Sequence, residues 1–291
     1  MSVKQLAMKR SRYPIHQSPL YKIVGKGKLE RVLNIELAKL GELLHSGNYR
    51  VWLNDKGREI QQPIRWLGQV HKRVGGLLSR IDLPEYVFSQ KGRSYVDNAC
   101  YHSGNVPLGK TDISKFYPST TRQMVRQMFM REFKCAGDVA AILADICCYQ
   151  QRHLPTGSPI SGRIAFFAAK PMFDEIYEDA RLSGSRMTLY VDDITLSGQN
   201  VTKRMISDVR QTVRRHGLKT KQAKSKTFPA SAPKAVTGTM VVGNEVKLPN
   251  VRHKKIWDTK RAIQTATPDD RKTLLKSLKG RIQEASQITT R

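Results

Sequence analysis

The sequence predicts an α+β fold in which antiparallel strands form a sheet that packs on helices. Short alternating runs interrupted by turn residues occur over 51–63, 186–198 and 236–248, and each has the pattern of a β-hairpin. Between them, apolar residues recur three and four positions apart, which is the period of a helix. The chain has 291 residues, of which 39% are hydrophobic, so a large core can form.

The first third of the chain alternates between the two patterns. Residues 1–50 are basic and mostly helical in period, and LERVLNIELAKLGELLHSG (29–47) predicts one helix that ends near Gly47. The hairpin at 51–63 turns at Asp55–Gly57. Residues 64–81 then have the period of a further helix, despite three internal glycines.

The rest of the chain continues this alternation. A short strand is expected to end near Asp112, followed by helices over 122–133 and 140–150. A loop rich in Pro and Gly leads into a long apolar helix that Pro171 should kink. SDVRQTVRRHGL (207–218) predicts an amphipathic helix that stops at Gly217, and the residues after Val251 are helical and basic.

Positive charge dominates the composition. Lys and Arg number 51 against 24 Asp and Glu, which gives a formal net charge of +27 and implies a polyanionic partner. Residues 201–291 alone hold 22 Lys and Arg against 6 Asp and Glu. The basic helices have few large apolar residues on an opposing face, and no apolar run is long enough to span a bilayer, so nucleic acid is favoured over a membrane.

The termini and cysteines indicate a cytoplasmic protein. The first residues, MSVKQLAMKRSRYP, lack the apolar core of a secretory signal. The four cysteines show neither paired spacing nor a histidine pattern typical of zinc, so we expect reduced thiols. They are Cys100, Cys135, Cys147 and Cys148.

Two acidic positions carry the sharpest chemical signal. Asp192 and Asp193 are adjacent between two strand-like runs, where like charges repel unless a cation compensates them. Alone, such a pair is equally typical of an exposed turn. Asp112 lies at another strand end, and antiparallel pairing could bring it beside Asp192. Two or three carboxylates could then hold two metal ions, one activating a hydroxyl and one binding a triphosphate.

Six segments together resemble a known family. TDISKFYPS, LPTGSPISG, YVDDITLSG and GLKTKQAKSKT have the order and spacing of palm motifs A to D of reverse transcriptases. NACYH (98–102) and VTG (236–238) resemble two signatures of the bacterial retron reverse transcriptases. The resemblance implies a right-hand polymerase with a palm built on an antiparallel sheet. It divides the chain into an N-terminal helical segment (1–50), fingers (51–106), palm (107–248) and a small helical thumb (249–291).

The resemblance also implies roles for single residues in catalysis. Asp112, Asp192 and Asp193 match the aspartates that bind two Mg²⁺ ions, for which Mn²⁺ is a possible substitute. Lys224 matches a motif D lysine placed to protonate the leaving pyrophosphate; the alternative is a solvated surface lysine. The implied dNTP-binding residues are Arg58, Tyr117, Gly157 and Ser158. Of these, Tyr117 matches the residue that excludes a ribose 2′-hydroxyl, and its alternative is a core aromatic.

The two retron signatures imply recognition of a structured non-coding RNA of the msr–msd kind. The residues concerned are Asn98, His102, Val236, Thr237 and Gly238. A single histidine is more often a structural hydrogen-bond partner, and that alternative stays open for His102. The implied partners are this RNA, an RNA–DNA hybrid, dNTPs and a retron effector protein, and the implied product is a branched RNA–DNA molecule made in an anti-phage system.

The sequence departs from the family pattern at several positions. Thr156 stands where motif B usually has Gln, which puts the grip on the nucleotide in doubt. Lys221 stands where motif D commonly has Asn, and Val191 replaces the commoner Ala before the aspartates. Gly162 and Phe166 stand where Pro and Asn are common.

Two other functions remain open at the level of sequence. One is a different bacterial reverse transcriptase that uses another RNA or extends an ordinary 3′-hydroxyl; the short chain, without a maturase or nuclease extension, argues against an intron protein. The other is an RNA-binding protein whose palm has lost activity. No RNase H-like segment is recognised, so we expect another enzyme to remove the template.

Overall fold

The computed structural model describes residues 12–289, so the part of the predicted N-terminal segment before residue 12 lies outside them. The chain forms two compact units. The first contains the residues up to 84 together with 114–174, and the second contains 85–113 and the residues from 175 onward. The predicted boundaries at 50, 106 and 248 stay predictions.

Helices and strands alternate along the described residues. The helices are α1 (Lys26–Leu33), α2 (Leu40–Leu43), α3 (Arg65–Leu78), α4 (Tyr95–Tyr101), α5 (Phe116–Ser119), α6 (Arg122–Arg131), α7 (Gly137–Cys147), α8 (Ser161–Ala168), α9 (Lys170–Leu182), α10 (Lys203–Arg215), α11 (Asn250–Thr265) and α12 (Pro268–Thr289). The strands are β1 (Tyr49–Leu53), β2 (Glu59–Pro63), β3 (Leu108–Asp112), β4 (Arg186–Tyr190), β5 (Asp193–Ser197), β6 (Lys226–Phe228), β7 (Lys234–Val236), β8 (Thr239–Val242) and β9 (Glu245–Lys247).

All three predicted hairpins are present. β1 pairs with β2, β4 with β5, and β8 with β9, each pair antiparallel. The expected stop of α10 is confirmed, because Gly217 has a φ of 78° and follows the C-cap residue His216. The helix expected to kink at Pro171 is divided into α8 and α9, and the break falls at Ala169.

One helix prediction was wrong. Residues 29–47 form no single helix, because α1 ends at Leu33 and Asn34 takes a left-handed conformation with a φ of 56°. Asparagine tolerates this conformation and is a common helix terminator. The chain then passes through a turn of 3₁₀ helix into the short α2.

The second unit contains two antiparallel sheets. The four-stranded sheet has the order β4-β5-β3-β6, and the three-stranded sheet has the order β7-β8-β9. A core of buried side chains joins α4, β3, the three-stranded sheet and α12. Its members are Val96, Ala99, Leu108, Val236, Val241, Val246, Leu248 and Ile288.

Gly109 allows α10 to pack closely on β3, the strand that ends at Asp112. A Cβ atom at Gly109 would lie 2.5 Å from Ile206 Cγ1 and 3.1 Å from Val201 Cγ1. Both contacts are shorter than packed carbon atoms allow. The absence of a side chain at 109 therefore sets the distance between α10 and the sheet.

We expect Gly109→Ala to lower the free energy of unfolding by about 1–3 kcal/mol, because overpacking a buried contact costs that much. The change should be largely compensated by Ile206→Ala in the double variant, as judged by urea denaturation. Gly76→Ala is the matched control, since a Cβ at that helical glycine meets nothing within 4 Å. Full stability of Gly109→Ala alone would contradict this packing.

Candidate functional site

The four-stranded sheet brings the three predicted aspartates to one place. β3 lies between β5 and β6, and Asp112 at its end is the register partner of Asp193 at the start of β5. Asp192 precedes Asp193 in the turn, and its carbonyl accepts a hydrogen bond of 3.0 Å from the backbone N–H of Ile113. The side chain of Asp112 is 3% exposed, and the other two are partly buried.

The turn that carries Asp192 is held in an unusual backbone conformation. Tyr190 pairs with Asp193, so Val191 and Asp192 form a two-residue turn. Val191 has a φ of 60°, which is rare for a β-branched residue and is normally taken by glycine. Its backbone N–H donates a hydrogen bond of 3.1 Å to Ser89 Oγ. Strained backbone that is fixed by its surroundings is common at functional sites.

Two lysines neutralise Asp112 in the chain as it stands. Lys224 Nζ donates to Asp112 Oδ2 at 2.7 Å, and Lys221 Nζ forms an ion pair with Oδ1 at 3.0 Å. The backbone N–H of Lys221 also donates to the carbonyl of Asp112 at 2.9 Å, which fixes the two segments together. The lysine at 221, a departure from the family pattern, therefore has a defined partner.

These contacts shift the acidities of the three aspartates in opposite directions. Burial raises the pKa of Asp192 to about 6, with further contributions from the charges of Asp112 and Asp193. Burial and the charge of Asp112 also raise the pKa of Asp193. Burial alone would raise the pKa of Asp112, but the hydrogen bonds and charges of Lys224 and Lys221 outweigh it, so that pKa is lowered.

The aspartates fit a divalent cation by their chemistry. Carboxylate oxygens are the ligands that hard divalent ions prefer, and burial together with the charge of neighbouring carboxylates raises the pKa of both Asp192 and Asp193, an environment that a cation would stabilise in the charged form. The carboxylate of Asp112 contacts two lysine side chains. Within residues 12–289, no three Asp, Glu, His or Cys side chains are already placed so that they could bind one metal ion. Binding therefore requires Asp112 to exchange ammonium groups for a metal.

A basic pocket opens beside Asp193. Its volume is about 420 Å³, and its walls include Lys110, Lys224 and Lys226 together with two aromatic side chains, Tyr190 and Phe228. Lys110 Nζ donates to the carbonyl of Ala235 at 2.8 Å, and burial lowers its pKa. Cations interleaved with aromatic rings suit a nucleic-acid strand, because they offer phosphate contacts and stacking surfaces together.

The turn between β7 and β8 forms another wall of this pocket. Val236 pairs with Thr239, so Thr237 and Gly238 are the two turn residues, with φ values of 41° and 83°. Both of them line the pocket, and Gly238 is exposed. Val236 is fully buried in the core of the unit.

The two retron-like signatures meet in the structure. Asn98 Nδ2 donates to Thr237 Oγ1 at 3.3 Å, although 139 positions separate them. The side chains of Asn98 and His102 are both fully buried. Both ring nitrogens of His102 lie 2.7 Å from hydroxyl oxygens, Nδ1 from Ser197 and Nε2 from Thr188. Neither side chain reaches the surface, which favours the structural alternative for His102, and a role of both residues in RNA recognition stays a prediction.

The remaining predicted site residues belong to the first unit. Gly157 lies against β2, where a Cβ would come within 2.9 Å of the carbonyl oxygen of Gln61, and its N–H donates to that oxygen. Ser158 Oγ lies 2.7 Å from Nδ1 of the buried His71. Tyr117 lies on α5 and stacks on Phe116, and Arg58 is exposed at the end of the β1–β2 turn. All four of these residues therefore lie in the first unit.

Sequence reasoning missed Lys110, Lys221 and Lys226 as site residues. Strand alternation could have found Lys110, since it lies two positions before Asp112 and side chains two apart share a face of a strand. Lys221 and Lys224 lie at the start and the end of a short 3₁₀ turn. Hydrophobic periodicity in the sequence does not predict a turn of this kind.

Comparison with known proteins gives the fold and the family. Residues 39–240 match the family described as "Reverse transcriptase (RNA-dependent DNA polymerase)". A telomerase structure from Candida albicans, in complex with a TWJ fragment of telomeric RNA, superposes with a TM-score of 0.52 over 84% of this chain and 57% of that one. The sequences are 10% identical, so this likeness shows the fold alone. The predicted right-hand polymerase fold is confirmed.

Among curated proteins, the chain is similar to three retron reverse transcriptases. It is 28% identical over 146 residues to that of retron Se72 from Salmonella heidelberg, 26% over 242 to that of retron Ec86, and 29% over 256 to that of retron Ec48, the last two from Escherichia coli. The matches cover 50%, 78% and 79% of this chain and 38%, 74% and 62% of the relatives.

We expect Asp192→Asn to stabilise the metal-free protein by about 1 kcal/mol at pH 7.5, since function-related charges are commonly destabilising. With a folded pKa of about 6, the carboxylate destabilises the fold above that pH, and the cost disappears below the ordinary pKa of an aspartate. Chemical denaturation in EDTA measures the effect. Asp208→Asn, at an exposed position on α10, is the control. A loss of stability in Asp192→Asn would contradict the repulsion.

We also expect the affinity for Mn²⁺, used as a probe ion, to fall as the pH drops below 6. Protons then compete for Asp192, whose pKa is about 6 before metal binds. The affinity should fall by up to about tenfold per pH unit for one competing proton. Calorimetric titration between pH 5.0 and 7.5 measures it, and a constant affinity across this range would place the ion elsewhere.

Proposed function

The chain belongs to the reverse transcriptase family, and we propose that it is an RNA-directed DNA polymerase of the retron type. The observation that carries the proposal is the pairing of Asp112 with Asp193 beside Asp192. Three neighbouring carboxylates that could bind cations once Asp112 is released from its lysines, next to a basic pocket, suit nucleotidyl transfer.

We assign the metal role to Asp112, Asp192 and Asp193. Two Mg²⁺ ions bound there would activate the attacking hydroxyl and stabilise the charge on the leaving pyrophosphate. Lys224 lies within hydrogen-bond distance of Asp112, so its ammonium group is available to donate a proton to pyrophosphate once Asp112 exchanges it for metal. Tyr117, Arg58, Gly157 and Ser158 are proposed to bind the incoming dNTP.

We further propose that the template is a structured non-coding RNA and that DNA synthesis begins from one of its 2′-hydroxyls, giving a branched RNA–DNA product. Support comes from the contact between the two retron-like signatures and from relatives that carry the retron name. Cytoplasmic location, an effector protein partner and a role against phage belong to the same proposal. Residues 12–289 contain no helix with the length and apolar character needed to cross a bilayer.

The proposal is tested by incubating the purified chain with Mg²⁺, dNTPs and a DNA primer annealed to an RNA template. We expect labelled DNA from the natural protein and none from Asp192→Asn/Asp193→Asn, while RNA binding by the double variant is retained, because the +27 charge is the source of that affinity. Asp269→Asn/Asp270→Asn alters an exposed adjacent pair on α12 and should leave synthesis unchanged.

The same assay, repeated with the co-purifying RNA, separates the alternatives. DNA that stays attached to RNA on a denaturing gel, and leaves a branched nucleotide after RNase treatment, supports the retron assignment. Extension of annealed 3′-hydroxyl primers alone indicates another bacterial reverse transcriptase. RNA binding with no DNA from any primer indicates an inactive palm and overturns the proposal.

A further inference from the structure

α4 is hydrogen-bonded both to the β7–β8 turn on the wall of the basic pocket and to the β4–β5 hairpin. Asn98 lies on this helix, and His102 is its C-cap residue. Residues four apart lie on the same side of a helix, so the spacing of the NACYH segment directs both side chains toward one face. Both are fully buried, and their partners belong to different sheets.

At one end, α4 determines the conformation of the β7–β8 turn. Thr237 Oγ1 donates to the carbonyl of Tyr95 at 2.9 Å and accepts from Asn98 Nδ2 at 3.3 Å. With a φ of 41°, Thr237 has a backbone conformation that a β-branched residue rarely adopts and that Asn, Asp or Gly normally supplies in such a turn. The two hydrogen bonds of its hydroxyl explain why threonine is accommodated.

At the other end, α4 is bonded to the hairpin that carries the aspartates. His102 bridges Ser197 on β5 and Thr188 on β4, each at 2.7 Å. These strands meet at the Asp192 turn. Burial lowers the pKa of His102 to about 3, so the ring is neutral near pH 7, and one nitrogen can donate to a hydroxyl while the other accepts from one.

Other contacts hold the same two parts at a fixed separation. Lys110, two positions before Asp112, donates to the carbonyl of Ala235 on β7. Lys234 is fully buried and donates to the carbonyl of Gly104, just after α4, at 3.0 Å. The core residues Val96 and Ala99 of α4 pack in the same cluster as Val236. The turn is therefore joined to the four-stranded sheet by contacts through α4, the residues just after it, and β3.

We propose that Asn98 and His102 form a brace, the α4 brace, which fixes the Thr237–Gly238 turn relative to the aspartate hairpin. In this assignment they are positioning residues and touch no nucleic acid. The turn they hold lies on the wall of the pocket beside Asp193 and Lys224, where it limits the position of the strand whose hydroxyl attacks. This inference rests on the proposed polymerase function. It also gives a reason why Asn98 and His102 are four positions apart, since that spacing places both side chains on one side of α4.

The first test is a double-mutant cycle on primer extension. Asn98→Ala removes the Asn98–Thr237 hydrogen bond and should lower kcat by about 3- to 10-fold, the worth of one buried hydrogen bond. Thr237→Val removes that bond and the bond to the Tyr95 carbonyl, so its loss should be at least as large. The double variant should be no slower than the slower single variant. Thr237→Ser keeps the hydroxyl and should keep the natural kcat, and Mn²⁺ affinity should be unchanged throughout.

The second cycle tests whether the two ends act through one element. Thr237→Val and Ser197→Ala break opposite ends of the α4 brace. If the two sites were independent, the fold losses in kcat of the single variants would multiply in the double variant. If both act through the α4 brace, the second substitution should lower kcat little further. Thr212→Val removes a buried hydroxyl on α10 and is the matched control, expected to leave kcat unchanged.

Multiplicative losses in either cycle, or a natural kcat in Thr237→Val, would overturn the brace. A second readout is independent of catalysis. Hydrogen exchange of the amides over 236–240 should accelerate in Asn98→Ala and Thr237→Val but not in Thr212→Val. If the natural protein makes no DNA, the polymerase proposal fails, while exchange still decides the brace: unchanged rates in Asn98→Ala would reject it.

Discussion

The second unit is organised around the repulsion of three carboxylates that the sheet forces together. Asp112 and Asp193 are register partners, and Asp192 adjoins them, so the backbone leaves these charges no room to separate. Lys221 and Lys224 compensate the most buried of them. Burial raises the pKa of Asp192 and of Asp193, and the charges of neighbouring carboxylates raise both pKa values further, so a bound cation would relieve that repulsion.

Two turns with β-branched residues border the basic pocket or lie next to it. Val191 and Thr237 both have positive φ values, where glycine or asparagine would be easier to accommodate. Each is held by a hydroxyl contact: Ser89 Oγ accepts from the N–H of Val191, and the hydroxyl of Thr237 bonds to the backbone of Tyr95. Rigid, strained turns keep the groups that face a substrate in place before it arrives.

The sequence predicts the hairpins and the aspartate cluster well, because alternation and turn residues act locally. It fails where a single residue decides between helix and turn, as at Asn34, whose left-handed conformation ends α1. It also fails for pairs distant in the chain. Nothing local indicates that Asn98 contacts Thr237 or that both ring nitrogens of His102 contact hydroxyl groups, although a structural role for His102 is an open alternative at the level of sequence.

The lysine partners of Asp112 would make metal binding at the proposed site an exchange of one cation for another. Each oxygen of the Asp112 carboxylate lies beside a lysine ammonium group, so a metal ion would have to displace both groups. The electrostatic energy gained on metal binding would then be the difference between the metal contact and the lysine contacts that it replaces. Cation binding at Asp112 would also free Lys224 beside the pocket, so metal uptake and the supply of positive charge for a triphosphate would be coupled.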